Sequence, residues 1–277
     1  MLARLTIFVL ILMLLAIGWK AWAYRKSALS ALRKVEVISE RFTRTDFFEE
    51  DNRRWIDSGE RPDVVFMGAS ITSRWNPEGK LGDLAVAQRG VGGQWPSHYL
   101  LRFRSDVVDL HPRAVVFKAC AITFRPGVND KGTRRAILDL TAEAEEAGIK
   151  PVLATCVPVR EDGNTVYGSD GKKLPDGIND RMLPFNDWLR TLAAERGYPV
   201  IDFYRAMADD RGFLPADLAV DDIHPNDRGY EVMTATAKPI LETLLGAGRA
   251  SGAWATVAST SATCRRPCAP AGWRTAW

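Results

Sequence analysis

The sequence predicts an α/β protein built as three layers, α/β/α, around a five-stranded parallel sheet. Three observations predict it. Short apolar runs without polar alternation recur between residues 61 and 246, as in strands buried on both faces. Helix-like segments separate these runs. Two of the junctions also follow one pattern: Ala144-Glu145-Glu146-Ala147-Gly148 and Ala194-Glu195-Arg196-Gly197 each end a helix in glycine and lead through proline into an apolar run.

Taken in order, Val64-Val65-Phe66-Met67 is the first strand and ends at Gly68. Ala85-Val86-Ala87 is the second, followed by the glycine loop Arg89-Gly90-Val91-Gly92-Gly93. Val115-Val116-Phe117 is the third, Pro151-Val152-Leu153-Ala154-Thr155 the fourth and Val200-Ile201-Asp202-Phe203 the fifth. Strands alternating with helices imply right-handed crossovers and helices on both faces. In such sheets ligands bind beyond the carboxyl ends of the strands. Ser70, Gly93 and the residues after Phe117 all fall at that edge.

The ends of the chain differ from its body. Residues 1–34 hold six Lys/Arg and no acid, and residues 247–277 hold four Arg and no acid. Subtracting these ten from the 37 basic residues leaves 27 against 34 acids, so the body carries −7 although the whole chain carries +3. Nucleic-acid surfaces need clustered cations, so no nucleic-acid partner is expected. Residues 1–25 read as a membrane anchor or a signal sequence. Leu5 to Ile17 is apolar, and Trp19, Trp22 and Tyr24 suit the headgroup region. The basic residues after this stretch favour a cytoplasmic body by charge alone, whereas its likeness to an export signal favours an exported one. An exported, membrane-anchored body is the reading adopted, with secretion after cleavage as the alternative. Residues 26–60 read as a helical linker, 61–246 as the globular domain and 247–277 as a disordered tail poor in large apolar residues. Three histidines and four cysteines form no cluster with metal-ligand spacing, so neither a metal nor a cofactor is expected.

Within the domain, one constellation carries chemistry. Ser70 follows the first strand and needs a base, because an unassisted hydroxyl is a poor nucleophile. His224 opens a helix-start sequence, His224-Pro225-Asn226-Asp227, and can turn its ring into the cleft. Asp221, three residues earlier, can accept the other ring N–H, with Asp222 as the substitute. His111 lies at the opposite sheet edge, and His98 falls within the turns after Trp95-Pro96, with no carboxylate near it in sequence.

These residues resemble the SGNH, or GDSL, hydrolase superfamily of esterases and lipases, whose fold is flavodoxin-like. Gly68-Ala69-Ser70-Ile71 resembles the family's first block, Arg89-Gly90-Val91-Gly92-Gly93-Gln94 its second and Asp221-Asp222-Ile223-His224 its last. The resemblance implies a Ser70–His224–Asp221 triad and an oxyanion hole that includes the N–H groups of Ser70 and Gly93. Two departures stand out. Ala69 replaces an aspartate, and no Gly-x-Asn-Asp follows the third strand directly. Thr123 aligns with the missing asparagine as the third oxyanion donor, and Asn129, in a later Gly127-Val128-Asn129-Asp130, is the alternative. The expected activity is a serine esterase acting on small acyl esters, including O-acetyl groups on envelope carbohydrate, with Trp75 and Trp95 flanking the substrate. A noncatalytic glycan- or protein-binding module and a lysophospholipase-type lipid esterase are the alternatives.

Overall fold

The computed structural model describes residues 13, 17–28, 45–75, 80–125, 130–168 and 170–246. The tail from 247, Asn129 and most of the apolar N-terminal stretch lie outside the described residues. Five parallel strands match the expected runs: β1 (Val64–Gly68), β3 (Leu84–Gly90), β4 (Ala114–Lys118), β5 (Lys150–Ala154) and β6 (Val200–Ile201). The sheet has six strands rather than five. The sixth, β2 (Lys80–Leu81), pairs antiparallel with β3 at the edge, Lys80 opposite Ala85 and Leu81 opposite Leu84. Two residues are too few to show a strand period in sequence.

The spatial order is β2-β3-β1-β4-β5-β6. The chain first moves from β1 outward to β3, then crosses back to add β4, β5 and β6 on the other side. The order therefore reverses between β1 and β4, and the crevice of a doubly wound sheet opens at the carboxyl ends of those strands.

Alternation within each strand divides the core in two. Val65, Met67, Val115, Phe117 and Leu153 face α3 (Pro96–Leu100), α4 (Phe103–Asp106), α5 (Asp130–Glu146) and α6 (Ile178–Arg196). Val64, Phe66, Val116, Val152 and Ala154 face α2 (Ser70–Arg74), α7 (Phe203–Met207) and α8 (Asp227–Leu245). Met233, Ala237 and Leu241 recur every four residues along α8 and are fully buried, the stripe of an amphipathic helix. Burying a side chain of leucine size contributes about 1.5–3 kcal/mol, so this stripe holds the helix that follows His224 against the sheet.

Helix ends fall where the sequence signals them. Gly148 and Gly197 adopt φ of 72° and 71°, the left-handed conformation that stops α5 and α6 before β5 and β6. Asn226 caps α8 by accepting the N–H of Gly229 at 3.0 Å.

Within the span read as a helical linker, α1 (Glu49–Ser58) packs on the domain: Asn52 is buried and Trp55 lies against the core. Helical residues 17–28 expose Trp19, Trp22 and Tyr24. Among the described residues no helix is long and apolar enough to cross a membrane.

One contact fixes α2 over the sheet edge. A Cβ placed on Gly90, the last residue of β3, would lie 2.2 Å from Ser73 N and 2.7 Å from Thr72 C. Both are backbone atoms and neither can turn aside. Gly90→Ala is therefore expected to destabilise the protein by about 3 kcal/mol or more, the upper range for overpacking. Urea unfolding checks this, and a midpoint equal to wild type would show that α2 can move away.

Candidate active site

Ser70 occupies the first position of α2, one residue beyond the end of β1, with Ala69 between them as the N-cap. The first N–H groups of a helix have no intrahelical acceptor, so the Ser70 N–H is left to donate elsewhere. Its Oγ lies 2.9 Å from His224 Nε2. His224 Nδ1 in turn lies 2.8 Å from Asp221 Oδ2 and 3.0 Å from Oδ1. With the carboxylate accepting at Nδ1, the ring carries its proton there and presents the Nε2 lone pair to the serine O–H. The structure thus brings Ser70, His224 and Asp221 into one hydrogen-bonded chain at the carboxyl edge of the sheet.

The loop that carries His224 is tied down on both sides. Val220 N–H donates to the carbonyl of His224 at 2.9 Å, and Asn226 N–H donates to Leu218 O at 2.9 Å. Asp221 Oδ1 also accepts the N–H groups of Ile223 at 2.9 Å and His224 at 2.8 Å. Partial burial pushes the Asp221 carboxyl up, but those N–H groups and the His224 ring together hold it below the ordinary aspartate value. Asp222 is directed elsewhere. Its carbonyl accepts Arg160 N–H at 2.8 Å, and its Cβ would meet a Cβ on Gly163 at 2.5 Å.

The glycine loop closes the other side of Ser70. Val91 N–H donates to Gly68 O at 3.0 Å, and a Cβ on Gly92 would lie 3.7 Å from Ser70 Cβ. Gly93 takes φ of 84°, a conformation suited to glycine. Thr123 sits on the 3₁₀ turn Ala121–Phe124 after β4 and is buried. Its Oγ1 has no hydrogen-bond partner among the described residues. The structure gives it no bond to Ser70 or His224.

The two tryptophans fare differently. The expectation that Trp75 flanks a substrate is corrected: the side chain is 1% exposed, with ring centroids 4.4 Å from Phe66 and 5.6 Å from Phe203. Its indole N–H donates to Thr234 Oγ1 at 3.0 Å, so its polar edge is spent inside the fold. Trp95 is half-buried beside the glycine loop, 5.3 Å from the His98 ring. His98 accepts Trp95 N–H at Nδ1, 2.9 Å away, and burial and then Arg102 lower its pKa, which keeps it a neutral acceptor.

Several supporting groups were not singled out in the sequence. Tyr230 Oη donates to Ile71 O at 3.2 Å and links α8 to α2, and burial raises its pKa to about 12. Ser73 Oγ donates to Ser70 O at 2.8 Å. Gln94 accepts from Arg102 beneath the glycine loop at 2.8 Å. The spacing of Arg102 and Asp106, one helical turn apart, was the only available signal for that pair.

A carboxyl held low in the folded protein adds stability above the ordinary aspartate range, and loses it as the pH falls into and below that range. Asp221→Asn is therefore expected to weaken the acid dependence of stability, measured by urea unfolding between about pH 3 and pH 7. It should also slow fluorophosphonate labelling of Ser70 by roughly 10²–10⁴. Asp222→Asn should leave labelling within a few-fold. The opposite ranking would assign the orienting role to Asp222.

Comparison with known proteins bears on the family and the fold. Residues 54–232, well over half of the chain, match the GDSL-like Lipase/Acylhydrolase family. A GDSL-like lipase from Bacteroides thetaiotaomicron VPI-5482 superposes with a TM-score of 0.62 at 24% identity, covering 73% of this chain and 99% of the other. The acetyl xylan esterase AlAXEase shares the fold with a TM-score of 0.51 at 19% identity, over 63% of this chain and 96% of the other. A curated relative, the uncharacterized lipoprotein YqeF of Bacillus subtilis (strain 168), is 24% identical over 152 residues, which is 50% of this chain. The chain spans 63% of that relative's length. The sheet order, the motif order and the extent of the family match make this chain a member of the GDSL-like lipase/acylhydrolase family, within the SGNH hydrolase superfamily.

Proposed function

We propose that the protein is a serine esterase that hydrolyses small acyl esters, with O-acetyl groups on envelope carbohydrate as its substrate class. Family membership supports ester hydrolysis in general. The observation that carries the finer reading is the chain from Ser70 Oγ through His224 to Asp221, with links of 2.9 and 2.8 Å.

Ser70 Oγ attacks the ester carbonyl carbon while His224 Nε2 takes the hydroxyl proton. Asp221 holds the ring and stabilises the imidazolium that forms. The tetrahedral oxyanion accepts the N–H groups of Ser70 and Gly93, with the Thr123 hydroxyl as third donor. Collapse of this intermediate breaks the bond to the alcohol, which leaves with the proton from His224. Water then attacks the acyl-enzyme by the same route, releasing the acid and restoring Ser70. Carbohydrate acetyl esters fit a small acyl group, and the same fold serves an acetyl xylan esterase.

We further propose that the N-terminal segment holds the domain at a membrane, on its exported side. Trp19, Trp22 and Tyr24 are exposed on helical residues 17–28, and Lys26 Nζ lies 5.2 Å from the centre of the Trp22 ring. Such aromatic and cationic side chains suit the headgroup region. A relative named as a lipoprotein is consistent with anchoring. A reporter that matures only outside the cytoplasm, fused after Gly246, should be active and should sediment with membranes. Activity of a cytoplasm-only reporter in its place would overturn the orientation.

For the enzyme itself, p-nitrophenyl acetate and acetylated xylo-oligosaccharides should be hydrolysed, and Ser70→Ala should abolish both turnover and fluorophosphonate labelling. Labelling lost without any effect on turnover would refute the nucleophile. Thr123→Val separates stability from chemistry. Removing an unpartnered buried hydroxyl should leave the melting temperature unchanged or raised. Loss of an oxyanion donor should meanwhile lower kcat by about 10- to 100-fold, less than the 10²–10³ typical of a stronger donor. An unchanged kcat would exclude Thr123 as a donor.

A further inference from the structure

The esterase mechanism uses none of the buried charges next to the glycine loop. Arg89 and Arg102 are each 1% exposed and Asp106 is fully buried. Charges taken out of water cost several kcal/mol each unless they are paired and hydrogen-bonded, so such a cluster calls for a physical explanation.

Arg102 engages an acceptor with each of its three nitrogens. Nε donates to Gln94 Oε1 at 2.8 Å, Nη2 to Arg89 O at 2.7 Å and Nη1 to Asp106 Oδ2 at 2.6 Å. Two of these acceptors, the carbonyl of Arg89 and the side chain of Gln94, stand at opposite ends of Gly90-Val91-Gly92-Gly93. One rigid planar guanidinium therefore spans the base of the loop that lies against Ser70. The third acceptor, Asp106, also accepts Asn52 Nδ2 from α1 at 2.8 Å.

The segment around α1 seals this cluster from water. Asp51 Oδ2 lies 2.8 Å from Arg89 Nη2, and the Phe48 ring lies 4.8 Å from the Arg89 guanidinium carbon and 5.6 Å from that of Arg102. Burial works against the Arg89 charge, while the Asp51 and Asp106 carboxylates support it. The strap thus supplies both the counter-charge and the apolar cover.

We propose that Arg102, sealed in by the strap of residues 46–58, is a positioning residue that sets where the glycine loop presents the Gly93 N–H to the oxyanion. This rests on the esterase reading. A lysine at 102 keeps the charge but gathers its three donors on one flexible nitrogen, so it does not reproduce the rigid planar fork that reaches both sides of the loop. Displacing a catalytic group by about 1 Å can cost on the order of 10² in rate.

The test uses the full chain with Arg102→Lys and, in case that variant folds poorly, Gln94→Ala, which cuts one loop tie and leaves the Arg102–Asp106 pair. Both should lower kcat on p-nitrophenyl acetate by about 10- to 100-fold with KM within about threefold. Both should also speed deuterium exchange in residues 90–95 while β1 keeps its protection. Arg113→Lys serves as the control. Arg113 pairs with Asp63 and donates to Leu245 O at the far edge of the sheet, so its loss should lower the melting temperature without changing kcat. Unchanged kcat and unchanged loop exchange in the two variants would overturn the positioning role. A fall in kcat that merely follows melting temperature, with Arg113→Lys behaving alike, would also overturn it. A wild-type protein inert to esters and to fluorophosphonate would overturn the esterase reading itself, and with it the catalytic meaning of the clamp.

Discussion

The close approach of α2 to the end of β3 is the constraint on which the rest of the site depends. Gly90 has no side chain, so the backbone at Thr72 and Ser73 lies against it where any Cβ would collide. That contact holds the first turn of α2 over the sheet edge, with Ser70 at its leading position. The same strand end then turns into the glycine loop, and Gly92 comes to rest against Ser70. Ser70 and the glycine loop are thus brought together by backbone packing. His224 arrives separately, carried by a helix whose apolar stripe is anchored on the same sheet face as α2.

A site assembled in this way concentrates polar backbone where the sheet stops pairing. Parallel strands satisfy one another only along their length, and the N–H groups beyond their carboxyl ends must find other partners. Some find them locally, as Val91 does with Gly68. The first N–H groups of a helix such as α2 have no acceptor within it, and such residual donor capacity makes a sheet edge suited to stabilising a developing negative charge. The chemistry follows from where the sheet ends as much as from which residues stand there.

Much of this was legible in sequence, because the features involved are local or periodic. Continuous apolar runs revealed the five parallel strands, and Gly148 and Gly197 marked helix ends that depend on a left-handed residue. Asp221 and His224 share one turn of chain, so their pairing needed only local geometry. What escaped notice depends on distant contacts. The two residues of β2 carry no period. Trp75 follows Ser70 closely in sequence but faces Phe66 and Phe203 once α2 packs down, so proximity along the chain misled. The role of α1 was hidden because its span reads as a helical linker, whereas Asp51 and Asn52 meet Arg89 and Asp106 only in the folded molecule.

The departures at Ala69 and Thr123 bear directly on how the oxyanion would be held. A threonine hydroxyl reaches less far than an asparagine amide and offers one donor. On the esterase reading, more of the stabilisation then falls on the backbone N–H groups of Ser70 and Gly93. Backbone donors are effective only when fixed in advance, since a loop that reorients during the reaction gives up in reorganisation what it gains in charge stabilisation. Ser70 is fixed by its helix and strand. Gly93 lies in a glycine-rich loop with high intrinsic freedom, held within by Gln94 N–H donating to Val91 O at 3.2 Å and open to further ordering by ties from outside. On the same reading, a buried guanidinium that spans the loop's base, shielded by residues from before the sheet begins, would add order at the point where the substituted site most needs it.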